Sequence, residues 1–493
     1  MCLKIPHFAN YYFTSDTLYS LSYYDSIIQG TLGSFHYSHL PNIFPEAIII
    51  LPLLAAHTPW QIVYESYSFL IFTTFILSAR NIYYEIIQDG RDEAFYLFML
   101  SVVALFFFHP GRLLQVLLAG LHGGSFVASI VAATLAWRFL SGISWKPWAY
   151  LFGLVLITCV ATFSDVLFFG EFVAPLVAAS LAVAFFGRVA PSKILILNLS
   201  VIGAAGVGAA LLHLLPISPF PPSTLNDLWQ NSFRFFSFAN LSVIALFGFP
   251  FLAIPFWFGS RLCPGSAWYQ PVVRLLGLHS TDNATAVAWS FFWIFGVSAS
   301  LVGLVVTVIG YQDFGAFRYA IAFFWWSVIL GATLFAGPAL RIQPVLPGIA
   351  VLGAVSLLLG AALWPTSEFW ASDLARCLEE KSHTLSMHAG LAGYWTALPV
   401  TKFSKRRSII SPVTESGDPM IWLNNSLDYF SDKKENTLRN YDFIVLNQLD
   451  KEAIFQKFGT PSHKFECGVF DVAQYDDPSI IHGTLARWLI EHR

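Results

Sequence analysis

Acidic residues near the start of the chain have the chemistry to act on a hydroxyl group. Asp16 lies three residues before Tyr19, and Asp25 and Glu46 follow. A carboxylate can serve as a general base toward a hydroxyl acceptor, and it is also a hard oxygen ligand for a divalent metal ion. A structural alternative stays open for Asp16, because Ser15-Asp16 precedes an apolar stretch and is typical of a helix N-cap.

A second acidic pair, Asp165 and Glu171, brackets a turn that follows a long apolar stretch. A carboxylate is costly where such a stretch lies in lipid, and it usually has a task there. The pair predicts part of a polar site. A helix cap plus an interfacial charge is the alternative.

Three basic or imidazole side chains could contact an anionic group. Arg112 ends a His-Pro-Gly-Arg sequence, His122 is followed by two glycines, and Arg318 precedes Tyr319 at the start of an apolar stretch. Glycines let a backbone approach a ligand closely, although small residues also serve helix packing. The guanidinium fork of Arg318 matches phosphate oxygens, and its alternative role is an anchor at the membrane interface.

The composition indicates which elements must position these residues. The chain has 493 residues, of which 56% are hydrophobic and 12% are charged, against about 25% charged in a typical soluble domain. This excludes an ordinary soluble enzyme, a disordered chain and a nucleic-acid binder with a basic face. Residues 1–363 hold 13 basic and 13 acidic groups, whereas the last 130 residues hold 14 and 17.

The hydropathy pattern predicts a polytopic α-helical membrane protein with a small C-terminal α/β soluble domain. A spanning helix needs about 20 mostly apolar residues. Ten stretches qualify, at roughly 60–80, 93–110, 124–140, 147–164, 171–187, 193–215, 240–260, 284–310, 319–337 and 342–363. The predicted domains are a first loop with a juxtamembrane helix at 1–59, a transmembrane domain at 60–363 and a soluble domain at 364–493.

The basic residues indicate an orientation. If the run at 43–57 does not cross the bilayer, nine Lys and Arg residues lie in or beside the loops of one side and four on the other side, the C-terminal tail excluded. The positive-inside rule then places the first loop and the tail outside the cytoplasm. No signal peptide is visible at the start. We therefore expect either that a helix precedes this start, or that the first loop is cytoplasmic and 43–57 crosses.

The tail is predicted to alternate helices and strands. Helices are expected over Ser372–Lys381 and Lys451–Phe458, a strand over Tyr441–Leu446, and one or two strands over Phe465–Tyr475. An oxidising compartment would permit Cys377 and Cys467 to pair, but the sequence alone leaves their pairing open.

The order of these features resembles the GT-C class of membrane glycosyltransferases, and most narrowly a bacterial branch of it. The resemblance is carried by Ser15-Asp16-Thr17-Leu18-Tyr19 with Asp25 and Phe44-Pro45-Glu46 in the first loop, by Ser164-Asp165, and by Arg318-Tyr319 before a late span. The class implies an integral membrane enzyme that moves a hexose or pentose, with inversion, from a polyprenyl-phosphate donor to an extracytoplasmic glycan, lipid or protein acceptor. The partners it implies are the bilayer, that donor and that acceptor, with no nucleic acid.

The resemblance also implies roles for individual residues. Asp16 would be the base or would orient the acceptor. Asp165, with Glu46 or Glu171, would supply a second acidic group. The residues expected to bind substrate or the leaving lipid phosphate are Arg318, His122, Arg112, Tyr19, Glu46 and Glu171, with the three cationic or imidazole side chains as the candidates for the phosphate. A divalent metal, Mg²⁺ or Mn²⁺, is compatible with the class but not required, and Asp16 and Asp165 would be its ligands.

Two other functions share these features. A transporter or flippase of a lipid-linked glycan would have many spans, and a glycan polymerase or ligase would use the same lipid donors. Transporters often show internal repeats and broken helices at mid-membrane. No clear repeat is visible, and the ionisable residues lie at the ends of the apolar stretches. The sequence therefore favours an enzyme in the inner (plasma) membrane, multi-pass, with an extracytoplasmic C-terminal domain.

Overall fold

The computed structural model describes most of the membrane part and nearly all of the tail. The described residues are 15–36, 41, 43–87, 91–108, 122–142, 146–185, 189–215, 225–237, 283–309, 318–335, 370–385, 387–404, 409–421, 423–432 and 437–491. The predicted spans at 240–260 and 342–363, and Arg112 with its His-Pro-Gly sequence, lie outside the described residues.

Helices dominate the part of the chain before the tail. They are α1 (Ser15–Ile28), α2 (Glu46–Ala55), α3 (Trp60–Ile86), α4 (Arg91–Phe108), α5 (Gly123–Ser141), α6 (Pro147–Ser164), α7 (Ala174–Phe185), α8 (Pro191–Leu212), α9 (Leu225–Phe235), α10 (Asn283–Ile309) and α11 (Ile321–Phe335). A short strand, β1 (Phe35–His36), follows α1, and a π-helical turn, Phe169–Val173, leads into α7.

Five of the described helices are long and apolar enough to cross a bilayer. They are α3, α5, α6, α8 and the Val287–Ile309 stretch of α10. This confirms a membrane protein with several apolar helices, while ten spans stay a prediction. Phe169–Ala184, in the predicted 171–187 span, is among the shorter apolar helices. Helix α11 has 15 residues, or about 22 Å of helix, against an apolar layer of about 30 Å.

The short run near residue 50 forms a helix that does not reach across an apolar layer. Helix α2 has ten residues and contains Pro52, so its length is about 15 Å, half the thickness of a bilayer core. The structure therefore agrees with the interpretation that this run is juxtamembrane. Its first turn carries Glu46.

Small residues let the membrane helices approach one another. A Cβ on Gly208 of α8 would overlap the Cys159 carbonyl of α6, and a Cβ on Gly296 of α10 would lie 2.7 Å from the Trp326 ring of α11. Without water, association of membrane helices depends on such close packing. Trp325 and Trp326 of α11 are buried in the same core.

The tail is a mixed α/β unit. Its helices are α12 (Trp370–Lys381), α13 (Tyr394–Phe403), α14 (Lys451–Phe458) and α15 (Ser479–Glu491), and its strands are β2 (Ala389–Gly393), β3 (Ile409–Val413), β4 (Asn424–Asn425), β5 (Phe430–Asp432), β6 (Thr437–Leu438), β7 (Tyr441–Val445), β8 (His463–Cys467) and β9 (Phe470–Gln474). Five strands form one sheet in the order β3-β2-β7-β9-β8. Strand β2 is parallel to β3 and β7, and β9 is antiparallel to β7 and β8. The predicted helix Lys451–Phe458 is confirmed, and the other predicted tail elements are confirmed with small shifts of their ends.

The tail is docked on the N-terminal segment. Strand β1 pairs antiparallel with β4, and α13 packs against α1. The buried Asn425 amide donates to Ser26 Oγ at 2.9 Å and to Thr31 Oγ1 at 3.0 Å, and Lys402 Nζ lies 3.0 Å from Asp25 Oδ2. A contact of this kind requires both segments to lie on one side of a bilayer. Which side that is stays a prediction from the positive-inside rule.

A disulfide ties α12 to the end of β8. Cys377 and Cys467 are bonded, with Cα atoms 5.7 Å apart and a sequence separation of 90. The structure therefore adopts the pairing that the sequence left open. Among the described cysteines, Cys159 is a free thiol.

We expect this disulfide in the protein isolated from its membrane. A digest made without reductant should yield one linked peptide pair containing Cys377 and Cys467, detected by mass spectrometry. Replacing both by Ser should lower the unfolding free energy of the tail by about 2–5 kcal/mol, because a long loop is no longer closed. Cys159→Ser is the control and should leave tail stability unchanged. Recovery of both cysteines as separately alkylated thiols would contradict the expectation.

Candidate functional site

Asp16 lies where the first helix, the membrane helices and the tail meet. It occupies the first turn of α1, where the partial positive charge of a helix N-terminus favours a carboxylate. Its Oδ2 accepts a hydrogen bond from Arg318 Nη1 at 3.1 Å, and its Oδ1 accepts one from the Tyr394 hydroxyl at 2.9 Å. With 15% of its side chain exposed, Asp16 engages partners from two distant parts of the chain instead of standing ahead of the helix as an N-cap.

Tyr394 belongs to the tail and donates its hydroxyl hydrogen bond to Asp16. It begins α13, and its backbone carbonyl accepts a hydrogen bond from Ser15 Oγ at 2.5 Å. Burial, and next the neighbouring charge of Asp16, raise the pKa of Tyr394 well above its usual value. The hydroxyl therefore stays protonated near neutral pH and donates to the carboxylate.

Arg318 is the second partner of Asp16, and one of its N–H groups has no hydrogen-bond acceptor among the described residues. It lies in the turn before α11, and its Nη2 donates to the Tyr319 hydroxyl at 3.2 Å. Its Nε is buried and makes no hydrogen bond to any described residue. About a third of the side chain, 34%, remains exposed. A guanidinium with an unused N–H beside a carboxylate is able to bind one more acceptor, such as a phosphate oxygen.

A second polar cluster is formed by His122 and Asp165. His122 Nδ1 lies 2.7 Å from Asp165 Oδ2, and both side chains are buried. Asp165 ends α6, and its Oδ1 accepts the backbone N–H of Leu167 at 3.0 Å. Asp165 therefore stabilises the turn at the end of the helix, which was its alternative role, and it also orients the His122 ring. A carboxylate on Nδ1 fixes that nitrogen as the donor and leaves Nε2 for another partner.

The backbone at His122 adopts an uncommon conformation. Its φ is 53° at the position before α5, a left-handed conformation that residues other than glycine adopt rarely. Such a conformation costs about 1–3 kcal/mol and persists where the surroundings enforce it. Here it directs the ring toward Asp165. The glycine after next serves packing, because a Cβ on Gly124 would overlap the Pro45 ring and lie 2.9 Å from the Tyr67 hydroxyl.

Tyr319 connects the two clusters. Its ring centroid lies 5.2 Å from that of His122, and the Arg318 guanidinium carbon lies 5.1 Å from the Tyr319 ring centroid. Asp16 and Asp165 are thus linked through three intervening side chains, and each carboxylate has its own partners. Across the described ranges no group of three or more His, Cys, Asp and Glu side chains could hold a metal ion. A divalent metal on Asp16 and Asp165 stays a prediction.

The two glutamates lie in different surroundings. Glu171 is buried in the π-helical turn before α7, close enough to Asp165 for the two carboxyl groups to interact electrostatically. Its Oε2 makes no hydrogen bond within the described part of the chain. Glu46 is also buried, but its Oε1 accepts a hydrogen bond from the Tyr67 hydroxyl at 3.0 Å. Glu171 is therefore the glutamate that accompanies Asp165.

Tyr19, which was expected to bind substrate, lies in the protein interior. Its side chain is buried, and its hydroxyl donates to the backbone carbonyl of Pro41. Tyr394 was not among the residues singled out from the sequence, and no local pattern marks it. It enters the site because the tail folds back over α1, 378 positions away from Asp16.

In comparisons with known protein families, curated proteins and solved structures, nothing matches the chain. The interpretation of the site therefore depends on its own residues and geometry.

The Asp16–Arg318 contact should be measurable as a coupling free energy. Asp16→Asn and Arg318→Gln should each lower the thermal stability of the full chain in nanodiscs, because each leaves a poorly exposed charge without its partner. The loss in unfolding free energy of the double variant should be smaller than the sum of the two single losses by about 1–3 kcal/mol.

The matched control for this cycle is Lys451→Met with Asp471→Asn. Their ion pair, at 2.5 Å, lies on the exposed surface of the tail. Exposed pairs couple by about 1 kcal/mol or less. Strictly additive losses for Asp16 and Arg318 would show that the two side chains do not interact in the protein.

Proposed function

We propose that the chain is an integral membrane glycosyltransferase of the GT-C type, which transfers a sugar from a polyprenyl-phosphate donor to an extracytoplasmic acceptor. The observation that carries the proposal is the position of Asp16. A carboxylate in the first helix, in contact with one cationic side chain, offers a base and an anion-binding group side by side. Transfer from a phosphate-linked sugar needs both.

The residues support a direct displacement. The acceptor hydroxyl oxygen forms a bond to the anomeric carbon of the sugar, and Asp16 accepts the proton that this hydroxyl loses. The bond between that carbon and the donor phosphate oxygen breaks, and the phosphate leaves with the electron pair. A single displacement inverts the configuration at the anomeric carbon. Arg318, a partly exposed cation with an unpaired Nε, offsets the charge that develops on the leaving phosphate.

His122 supports the same phosphate from the neighbouring cluster. Asp165 Oδ2 lies 2.7 Å from its Nδ1, which orients the ring and leaves Nε2 for the phosphate. A divalent metal would supply further charge compensation if bound, because carboxylate oxygens suit Mg²⁺ or Mn²⁺. The roles proposed for Asp16 and Arg318 do not depend on it.

The contact between α1 and the tail supports the placement of acceptor chemistry on the tail's side. Together with the distribution of basic residues, this favours an inner membrane protein whose catalytic face is extracytoplasmic. A transporter or flippase would need an ionisable pathway through the membrane. Asp16, Arg318, His122 and Asp165 lie instead near helix ends.

Substitution of Asp16 tests the proposal in cells. In Asp16→Asn, a polyprenyl-phosphate sugar should accumulate in lipid extracts while a surface glycan loses that sugar. The transfer rate should fall by about 10²–10⁴, the usual contribution of a general base. Lipid extraction and glycan composition analysis, on cells with equal amounts of the protein, provide the measurement.

Asp92→Asn is the control for that experiment. Asp92 is a surface carboxylate that accepts a hydrogen bond from the Tyr84 hydroxyl at 3.0 Å, so its loss should change neither pool. Unchanged lipid and glycan pools in Asp16→Asn would exclude the proposed role of Asp16 and would favour a transporter.

A further inference from the structure

A cavity of about 200 Å³ lies between α1 and the tail, directly beside the Asp16 site. Its walls come from the second half of α1, from α13 and β3, and from the segment around β4. Tyr394 lines the cavity, and its hydroxyl donates to Asp16. The cavity is therefore one hydrogen bond away from the carboxylate, although none of the roles proposed above uses it.

The lining mixes polar and apolar side chains, and its charges cancel. Its two carboxylates, Asp25 and Asp428, are matched by two cations, Lys402 and Arg439, so the formal net charge of the lining is zero. Hydroxyl groups are contributed by residues such as Ser22, while leucines on the tail side add apolar surface. Balanced charge disfavours an anionic headgroup as the occupant, and the four charged side chains among the walls disfavour a purely hydrocarbon chain.

Unused donors face this space. Arg439 donates from Nε to the Asp428 carbonyl at 2.9 Å, and its two Nη groups make no hydrogen bond or ion pair with the described residues. Lys402 makes one contact, with Asp25, and has further donor capacity. The Ser22 hydroxyl likewise has no partner in the described part of the chain. A ligand with several groups that both donate and accept would satisfy this set.

We propose that the cavity binds a neutral saccharide unit of the acceptor, so that the acceptor is a glycan chain of more than one sugar. This inference rests on the proposed function and narrows its acceptor from glycan, lipid or protein to a glycan. Each sugar hydroxyl both donates and accepts a hydrogen bond, as the lining requires. The apolar face of a sugar ring matches the leucine side of the cavity.

The geometry sets the length of the acceptor. Ser22 and Asp25 follow Asp16 on one helix by six and nine residues, or about 9 and 14 Å along the axis. A sugar held in the cavity is therefore not the sugar whose hydroxyl reacts at Asp16, and the chain must extend between them. The volume of about 200 Å³ is below the roughly 300–1,000 Å³ of sites that enclose drug-sized ligands, which suits a single unit.

Binding of saccharides to the full chain tests the inference. The chain in nanodiscs is applied to an array of neutral di- and trisaccharides that covers hexoses, N-acetylhexosamines, deoxyhexoses and pentoses, and affinities of the bound probes are then titrated. We expect wild type and Asp16→Asn to bind the same probes. Arg439→Gln and Lys402→Met should each bind about tenfold more weakly or worse, since a hydrogen bond from a charged group is lost.

Lys451→Met is the matched control, because it removes a tail lysine from an ion pair away from the cavity. It should bind as wild type does, and melting curves establish that all variants are folded. Equal binding by wild type and the two cavity variants, or no binding to any probe on the array, would overturn the inference. Displacement of the bound saccharide by inorganic phosphate or glycerol phosphate would overturn it in favour of an anionic ligand.

The same design separates the two proposals. Suppose that saccharides bind, that their binding depends on Arg439, and that Asp16→Asn leaves the cellular lipid and glycan pools unchanged. The saccharide site is then supported and the transferase activity is contradicted. If those pools respond to Asp16→Asn but no saccharide binds, the transferase stands and the acceptor is not held in this cavity.

Discussion

The contact between Asp16 and Arg318 is the constraint on which the arrangement of the site depends. Two opposite charges that are mostly removed from water need each other, because either alone would pay a desolvation cost without compensation. For this contact to form, the first turn of α1 must lie against the residues just before α11, because Arg318 follows Asp16 by 302 positions in the chain. Tyr394 then adds a hydrogen bond from the tail, so three distant parts of the sequence meet at one carboxylate.

The tail is attached to the rest of the chain by apolar packing and by directional polar contacts. Helix α13 packs against α1, and the Phe403 ring centroid lies 5.2 Å from that of Trp60 in α3. The polar contacts include a short strand pairing, the Asp25–Lys402 ion pair and the hydrogen bonds of Asn425. Hydrogen bonds and ion pairs are directional, so they fix the position of α13 closely. This keeps Tyr394 over Asp16 and creates the cavity between the two elements. Through Tyr394 the tail contributes a side chain to the site itself.

Part of this arrangement follows from local sequence patterns. Apolar stretches of sufficient length predicted α3, α5, α6, α8 and α10, and the short helix predicted over Lys451–Phe458 has the bounds of α14. Five of the ten predicted spans are long apolar helices in the described part of the chain, and the other five stay predictions. Hydropathy alone does not distinguish a spanning helix from a shorter buried one, so the short helices α7 and α11 leave the number of spans open. Burial against neighbouring helices makes short helices as apolar as long ones.

The long-range contacts could not be predicted in the same way. Asp16, His122, Asp165 and Arg318 stood out as polar residues beside apolar stretches, yet their spacing gives no information on which of them touch. The His122–Asp165 pair and the Asp16–Arg318 pair are results of helix packing, with Tyr319 between them. Tyr394 and the Asp25–Lys402 pair carry no local signal at all, because an aromatic or a lysine in a soluble tail has many ordinary roles.

We propose that the N-terminal helix and the tail form one unit around Asp16 and that this unit faces away from the cytoplasm. Cysteines at positions 34 and 426 test it most directly, because Ser426 Oγ donates to the Ser34 carbonyl at 3.3 Å. In intact cells, a short, membrane-impermeant bifunctional thiol reagent should cross-link Ser34→Cys to Ser426→Cys, whereas neither single variant should form the link. A cross-link that forms only after the membrane is permeabilised, or that fails to form with both thiols reactive, would contradict the account.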